Sequence, residues 1–189
     1  MKLGVRRRGN FDYKPKHEEL IMQLENKKTA ELVFKRIAAE AKGFGLEIAD
    51  QDFKRPWGGF LRFDEKCLGD FFKAYWQGVD TGKQEGRRDP KVLIVAPAQR
   101  LSLQLHHRRA ELWRVLDGPV MVVHGADKDH LVEDVFFGGE VIHLNCGEIH
   151  RLCGSLTSWG RVAEIWEHVD PNNPSNEEDI VRLQDDYAR

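Results

Sequence analysis

From Gln51 to the last residue, apolar side chains come in short or alternating runs separated by Gly, Pro and Asp. The runs fall at 59–63, 71–79, 92–96, 101–106, 112–116, 120–124, 141–144 and 162–168. Segments of that length bury an apolar face by pairing side by side, and many of them at fairly even spacing predict a sandwich or a closed barrel. The chain before them has a different texture. Leu20, Ile21 and Leu24, then Leu32, Val33, Ile37 and Ala41, recur at helical spacing over 16–42, and Gly43 and Gly45 end the run. Asn26 to Thr29 reads as an interruption, with Thr29 an acceptable helix N-cap. The organisation expected is a tail and helical extension over 1–50, laid against a mainly β domain over 51–189. The polar, Gly-rich segment 80–90 (DTGKQEGRRDP) reads as a loop able to serve as a lid. The terminal stretch DPNNPSNEEDIVRLQDDYAR opens on turn residues and reads as a charged tail with helical character.

Composition removes several classes of function. The 189 residues carry a net charge of −2, and the basic residues are scattered, so no nucleic-acid surface is expected. Arg6-Arg7-Arg8 reads as a solvated tail. No apolar run approaches the roughly 18 residues of a membrane span, and no apolar core follows the charged amino terminus as in a signal peptide. Cys67, Cys146 and Cys153 form no CxxC pair and are odd in number, which predicts free thiols and a cytoplasmic setting.

The chemistry-bearing residues concentrate between Gln104 and His150. Gln104 and His106 are two apart, so on a strand they share a face. Glu111 opens the next alternating run, and His150 sits in a later GEIH segment. A lone histidine at a strand end is usually solvated, and Glu111 could simply pair with Arg109. Gln104, however, lies between Leu103 and Leu105 on the face that carries His106, and burying such a polar pair without partners costs a few kcal/mol. One divalent cation bound by Gln104, His106, Glu111 and His150 removes that cost. Zinc leads for this donor set, with manganese, cobalt and iron as alternatives. His107 has the wrong parity, and His17, His124, His130, His143 and His168 lack comparable spacing.

Gln-x-His-x4-Glu-x6-Gly is the spacing of the first cupin motif, with Gln where most cupins have His. RPWGGF (Arg55 to Phe60), QRLSLQLHHRRAELWRVLDG (Gln99 to Gly118), GEIHRL (Gly147 to Leu152) and EEDIVRLQDDYAR (Glu177 to Arg189) occur in the order seen in type II mannose-6-phosphate isomerases. Over residues 51–189 the chain resembles the cupin domain of that family. The resemblance implies a jelly-roll β-barrel, metal ligands at Gln104, His106, Glu111 and His150, and aldose–ketose isomerisation of a sugar phosphate. It also points to Arg100 for substrate contact. The chain departs from the family at Arg108, Leu112, Asn145 and Ala188, leaving the particular sugar open. No Gly-rich phosphate loop accompanies the motifs, so guanylyl transfer is not expected.

An isomerase of this kind moves a proton between adjacent carbons while a cation holds the developing oxyanion. Arg100 leads for the phosphate because its parity matches Ser102 and Gln104, ahead of Arg108, Arg109 and Arg182. Trp57 and Tyr187 could stack on the sugar, whereas Trp113 reads as core. The competing readings are a non-catalytic cupin that binds a sugar or regulates a partner, and a metal-dependent dioxygenase, which normally has His at position 104. Homodimerisation is the default for the unassigned helical stripe.

Overall fold

A computed structural model describes residues 16–82 and 87–187, with side chains from residue 28 onward. Arg6-Arg7-Arg8, His17 and the stripe at Leu20, Ile21 and Leu24 lie outside those side chains. The chain opens with helix α1 (Lys16–Gly43) and continues through β1 (Ile48–Arg55), β2 (Gly58–Phe63), a short 3-10 turn, α2 (Leu68–Tyr75) and β3 (Lys91–Val95). The remaining strands are β4 (Leu103–Leu105), β5 (Arg109–Asp117), β6 (Val120–Gly125), β7 (Val132–Phe136), β8 (Val141–Leu144), β9 (Ile149–Gly154), β10 (Gly160–His168) and β11 (Val181–Gln184).

The strands form two antiparallel sheets, β1-β2-β3-β10-β5-β8 and β11-β4-β9-β6-β7, so the fold is mainly β with a helical extension, as expected. Two cores follow from the alternation of side chains along the strands. Leu93, Val95, Trp113, Val115 and Val162 point between the sheets, where Val120, Val122, Ile142, Leu144 and Leu152 meet them. Val92, Ile94, Leu112, Ala163 and Ile165 point the other way, into a second core with Phe34, Ile37 and Ala41 of α1 and Phe71 and Tyr75 of α2. Both faces of β3 are therefore covered, and all five of its residues, KVLIV, are buried. That explains its continuous apolar run.

The helix α1 runs unbroken through the expected interruption at 26–29. Its stripe is Phe34, Ile37 and Ala41, while Leu32 is exposed. Phe34 stacks on Phe53 with ring centroids 4.3 Å apart, and Glu40 Oε1 accepts from Arg161 Nη1 at 2.6 Å. Three expectations change. Residues 71–79 do not form a strand: Phe71 lies in α2, and the buried Phe71 and Tyr75 follow the four-residue spacing of a helix. The terminal segment contributes β11, whose Val181 and Arg182 pair with Leu105 and Gln104. The β region begins at Ile48, three residues before Gln51.

The RPWGGF segment makes the β1–β2 hairpin, with Arg55 opposite Gly58. Gly58 has φ +138°, and a Cβ there would lie 2.0 Å from the Ile94 carbonyl oxygen. Only glycine lets this turn pack on β3. The three cysteines are free, and burial pushes the Cys153 thiol up to about 11. No described helix is long and apolar enough to cross a membrane.

Candidate metal centre and its cleft

Three strands converge on one interior point. Gln104 of β4 pairs directly with His150 of β9, and Glu111 of β5 lies on the facing sheet. The ligand atoms of His106, Glu111 and His150 all lie within 4.8 Å of one another, and all three residues are buried. His106 Nε2 stands 3.2 Å from Glu111 Oε1, and His150 Nε2 stands 3.5 Å from Glu111 Oε2.

Backbone carbonyls fix which nitrogens face the centre. His106 Nδ1 donates to the Asp179 carbonyl, and His150 Nδ1 donates to the Glu148 carbonyl at 3.0 Å. A carbonyl only accepts, so each neutral ring carries its proton on Nδ1 and presents the Nε2 lone pair to Glu111. Acceptors then face a carboxylate in a buried site, which is stable only with positive charge between them. Arg109 supplies part of it: its Nε donates to Glu111 Oε1 at 2.8 Å and its Nη2 to His106 Nε2 at 3.2 Å. His150 Nε2 is buried with no hydrogen-bond partner. That orphaned lone pair, aimed at a carboxylate, fits a cation, and His106, Glu111 and His150 could hold one.

The electrostatics agree. Burial would raise the Glu111 carboxyl, but the Arg109 guanidinium, and a proton on either facing imidazole, act the other way and lower it well below the usual carboxylate value. Burial, opposed by Glu111, lowers His106 to about 4 and keeps the ring neutral at pH 7. Glu111 Oε2 also accepts from Trp113 Nε1 at 3.1 Å, which fixes the carboxylate plane.

Gln104 stands beside the trio. Its Nε2 is 3.5 Å from His106 Nε2, and its Oε1 accepts from Ser102 Oγ at 2.8 Å. A half-turn of the amide brings the oxygen to the cluster and leaves Ser102 Oγ to accept from the nitrogen. His107 is exposed, as its parity predicts. Arg100 stands apart from this cluster. Its Nε pairs with Asp186 Oδ2, the side chain is 49% exposed, and it does not line the cleft above the trio. The regular strand begins only at Leu103, with Arg100 making an isolated bridge to Cys153, so the period of two does not carry back to it. Tyr187 bonds Gln99 and likewise does not line the cleft, whereas Trp57 does and Trp113 is core.

The cleft encloses about 130 Å³, and Gln104, Arg109 and Glu111 form part of its lining. Arg55, Lys91 and Arg182 bring positive charge to it, and Glu164 and Glu177 bring negative charge. Sequence reasoning missed Lys91 and Glu164, although Lys91 opens the apolar strand KVLIV and Glu164 interrupts VAEIW, both at positions that alternation turns inward. It also missed Asp179, whose carboxylate accepts from the amides of His107 and Arg108 at 3.0 and 2.9 Å while its carbonyl holds His106.

Two antiparallel sheets enclosing an inward cluster of imidazoles and a carboxylate make this a cupin barrel. Within that class the chain belongs to the mannose-6-phosphate isomerase C-terminal family, which matches over residues 72–185. Alginate biosynthesis protein AlgA of Pseudomonas aeruginosa is 32% identical over 114 residues, 60% of this chain and 22% of that protein. Xanthan biosynthesis protein XanB of Xanthomonas campestris is 29% identical over 157 residues, 82% of this chain and 28% of that one. Mannose-1-phosphate guanylyltransferase 2 of Escherichia coli O157:H7 is 30% identical over 140 residues, 74% of this chain and 23% of the enzyme. The chain thus spans about a quarter of the length of these relatives. Among solved structures, the capsular polysaccharide assembling protein CapF of Staphylococcus aureus superposes with a TM-score of 0.50 at 20% identity, over 74% of this chain and 34% of that chain, a likeness of fold.

Proposed function

We propose that this cupin is a metal-dependent isomerase interconverting an aldose phosphate and its ketose. The observation that carries the reading is the orphaned His150 Nε2 facing Glu111, a carboxylate that lines a cleft of mixed charge. His106, Glu111 and His150, with Gln104 through its amide oxygen, are the ligands, and zinc is the first choice of ion. Such an ion, when bound, supplies the positive charge that polarises a sugar carbonyl and steadies an enediolate oxygen.

The chain's own residues do the rest. Arg182, exposed and lining the cleft, sits opposite Gln104 in the β4–β11 pair, where its guanidinium can hold a phosphate bidentately. Arg55 adds a second cation from the hairpin, and Trp57 gives the sugar an apolar wall. Buried Arg109 is committed to Glu111 and lies 3.7 Å from the Trp166 ring centre, so its task is to fix the ligand carboxylate. Residues 51–189 form the functional unit and the helical extension covers its outer face.

The test is incubation with phosphorylated hexoses, pentoses and heptoses in deuterated water, with and without chelator. Conversion of one sugar into its partner, abolished by chelation and restored by metal, supports the reading. Tight binding of a sugar phosphate without conversion under any metal replaces it with a non-catalytic sugar-binding cupin.

A further inference from the structure

An isomerase needs a group that takes a proton from carbon, and the metal trio does not provide it: both imidazoles and Glu111 are committed to the ion under the reading above. Across the same cleft another carboxyl is placed for the task. Glu164 lies in the middle of β10 between Ala163 and Ile165 and is 5% exposed. Its strand partners are Lys91 on one side and Trp113 on the other, so it points into the barrel beside Glu111 and lines the cleft. It is not one of the residues whose ligand atoms converge within 4.8 Å of one another.

The setting suits proton transfer. Glu164 Oε1 accepts from Trp166 Nε1 at 2.8 Å, which orients the carboxyl. Lys91 Nζ is 3.7 Å from Glu164 Oε1 and 2.6 Å from Glu177 Oε1. The carboxyl is thus held in place at the cleft wall with a lysine ammonium beside it and one hydrogen bond from a neighbouring side chain. A structural salt bridge alone would pair Lys91 most closely with Glu164, yet the closer contact is to Glu177.

We propose that Glu164 is the catalytic residue that carries the proton between C1 and C2 of the sugar phosphate, a role that rests on the isomerase reading. Its carboxylate takes the hydrogen from C2 of the open-chain aldose as a proton. The C2–H electron pair forms C1=C2, and the carbonyl pair moves to O1. The hydroxyl proton passes from O2 to O1, O2 re-forms a carbonyl with C2, and the C=C pair takes the proton back from Glu164 at C1. No electron leaves or enters the sugar.

The experiment uses the full chain loaded with zinc, with mannose 6-phosphate deuterated at C2 as the substrate. The parent should convert it to the ketose with a primary isotope effect. E164Q, which keeps the acceptor for Trp166, should lose roughly 10²–10⁴-fold in conversion. It should retain one metal per chain and parent-like calorimetric binding of a hexitol 6-phosphate, which has no carbonyl. E164D, with the carboxyl withdrawn by one methylene, should fall between the two. Conversion by E164Q within about threefold of the parent overturns the role of Glu164 and leaves the isomerase reading standing. A parent inactive on every sugar phosphate overturns both. Should E164Q fail to fold or take up zinc, E164D at full metal content decides: undiminished conversion contradicts the proposal, and a loss of tenfold or more supports it.

Discussion

The cleft has two corners built from the same materials and tuned in opposite directions. At one, Glu111 meets two imidazoles and Arg109 and is held ionised well below the carboxylate range. At the other, Glu164 meets Lys91 but lies near a second carboxylate, and burial wins, raising it to about 7. Adjacent strands of one sheet thus hold a permanent anion and a carboxyl poised near neutrality. Burial alone does not set the charge of a carboxylate; the count and distance of its partners do.

The sharpest way to break the comparison is to remove one anion at a time. Glu111→Ala leaves Arg109 without its main partner and strips the trio of its centre, and removal of one member of a buried ion pair costs about 3–5 kcal/mol. Denaturant unfolding should show that loss together with loss of metal. At pH 4.5, where Glu164 is protonated in the folded state, Glu164→Gln should unfold within about 1 kcal/mol of the parent, since the Trp166 hydrogen bond survives. Equal costs for the two would mean the corners are not distinct.

The helical layer offers the next largest effect. Ile37 is 2% exposed beneath α1, and Ile37→Ala should cost about 2–4 kcal/mol by denaturant unfolding while leaving metal content unchanged. A negligible cost would mean the helix merely rests on the barrel.

The pH dependence of stability separates the corners a third way, in the chelated protein. His106 is lowered to about 4 from 6.5, so the folded state binds fewer protons than the unfolded one between those values. Its contribution is complete above pH 6.5 and lost as pH falls through 4, on the order of 3 kcal/mol. Glu164 is raised to about 7 from 4.5, so its contribution is complete below pH 4.5 and lost as pH rises through 7. His106→Asn should flatten the acid side of a stability–pH curve and Glu164→Gln the neutral side. A curve unchanged by either would contradict the assignment. The smallest effect concerns substrate: Arg182→Ala should raise KM for a sugar phosphate about tenfold, and Arg100→Ala, paired with Asp186 outside the cleft lining, should change it little.

The sequence made one of these corners far more legible than the other. Gln104, His106, Glu111 and His150 stand in a recognisable spacing, and strand parity turns them inward from the two facing sheets, where His106, Glu111 and His150 meet. The second corner depends on the pairing of β3 with β10, a contact between Lys91 and Glu164 that no local pattern encodes. Inward charges in KVLIV and VAEIW were its only signal. Parity aims Arg100 at the cleft only if strand geometry reaches back from Leu103, and the three residues of regular strand stop short of it. Residues 71–79 read as strand because their aromatic side chains favour strands, although Phe71, Phe72, Tyr75, Trp76 and Val79 recur at helical spacing. The terminal strand was obscured by its charge: β11 is an exposed edge strand with one neighbour, so its residues stay polar.

The central claim is that the Glu111 corner holds a cation and the Glu164 corner does not. Metal content per chain, measured after saturation with zinc and removal of the excess, addresses it directly for the parent, Glu111→Ala and Glu164→Gln. The account predicts about one ion in the parent, none in Glu111→Ala and about one in Glu164→Gln. A parent that takes up no divalent metal, or a Glu111→Ala protein that stays fully loaded, would contradict it.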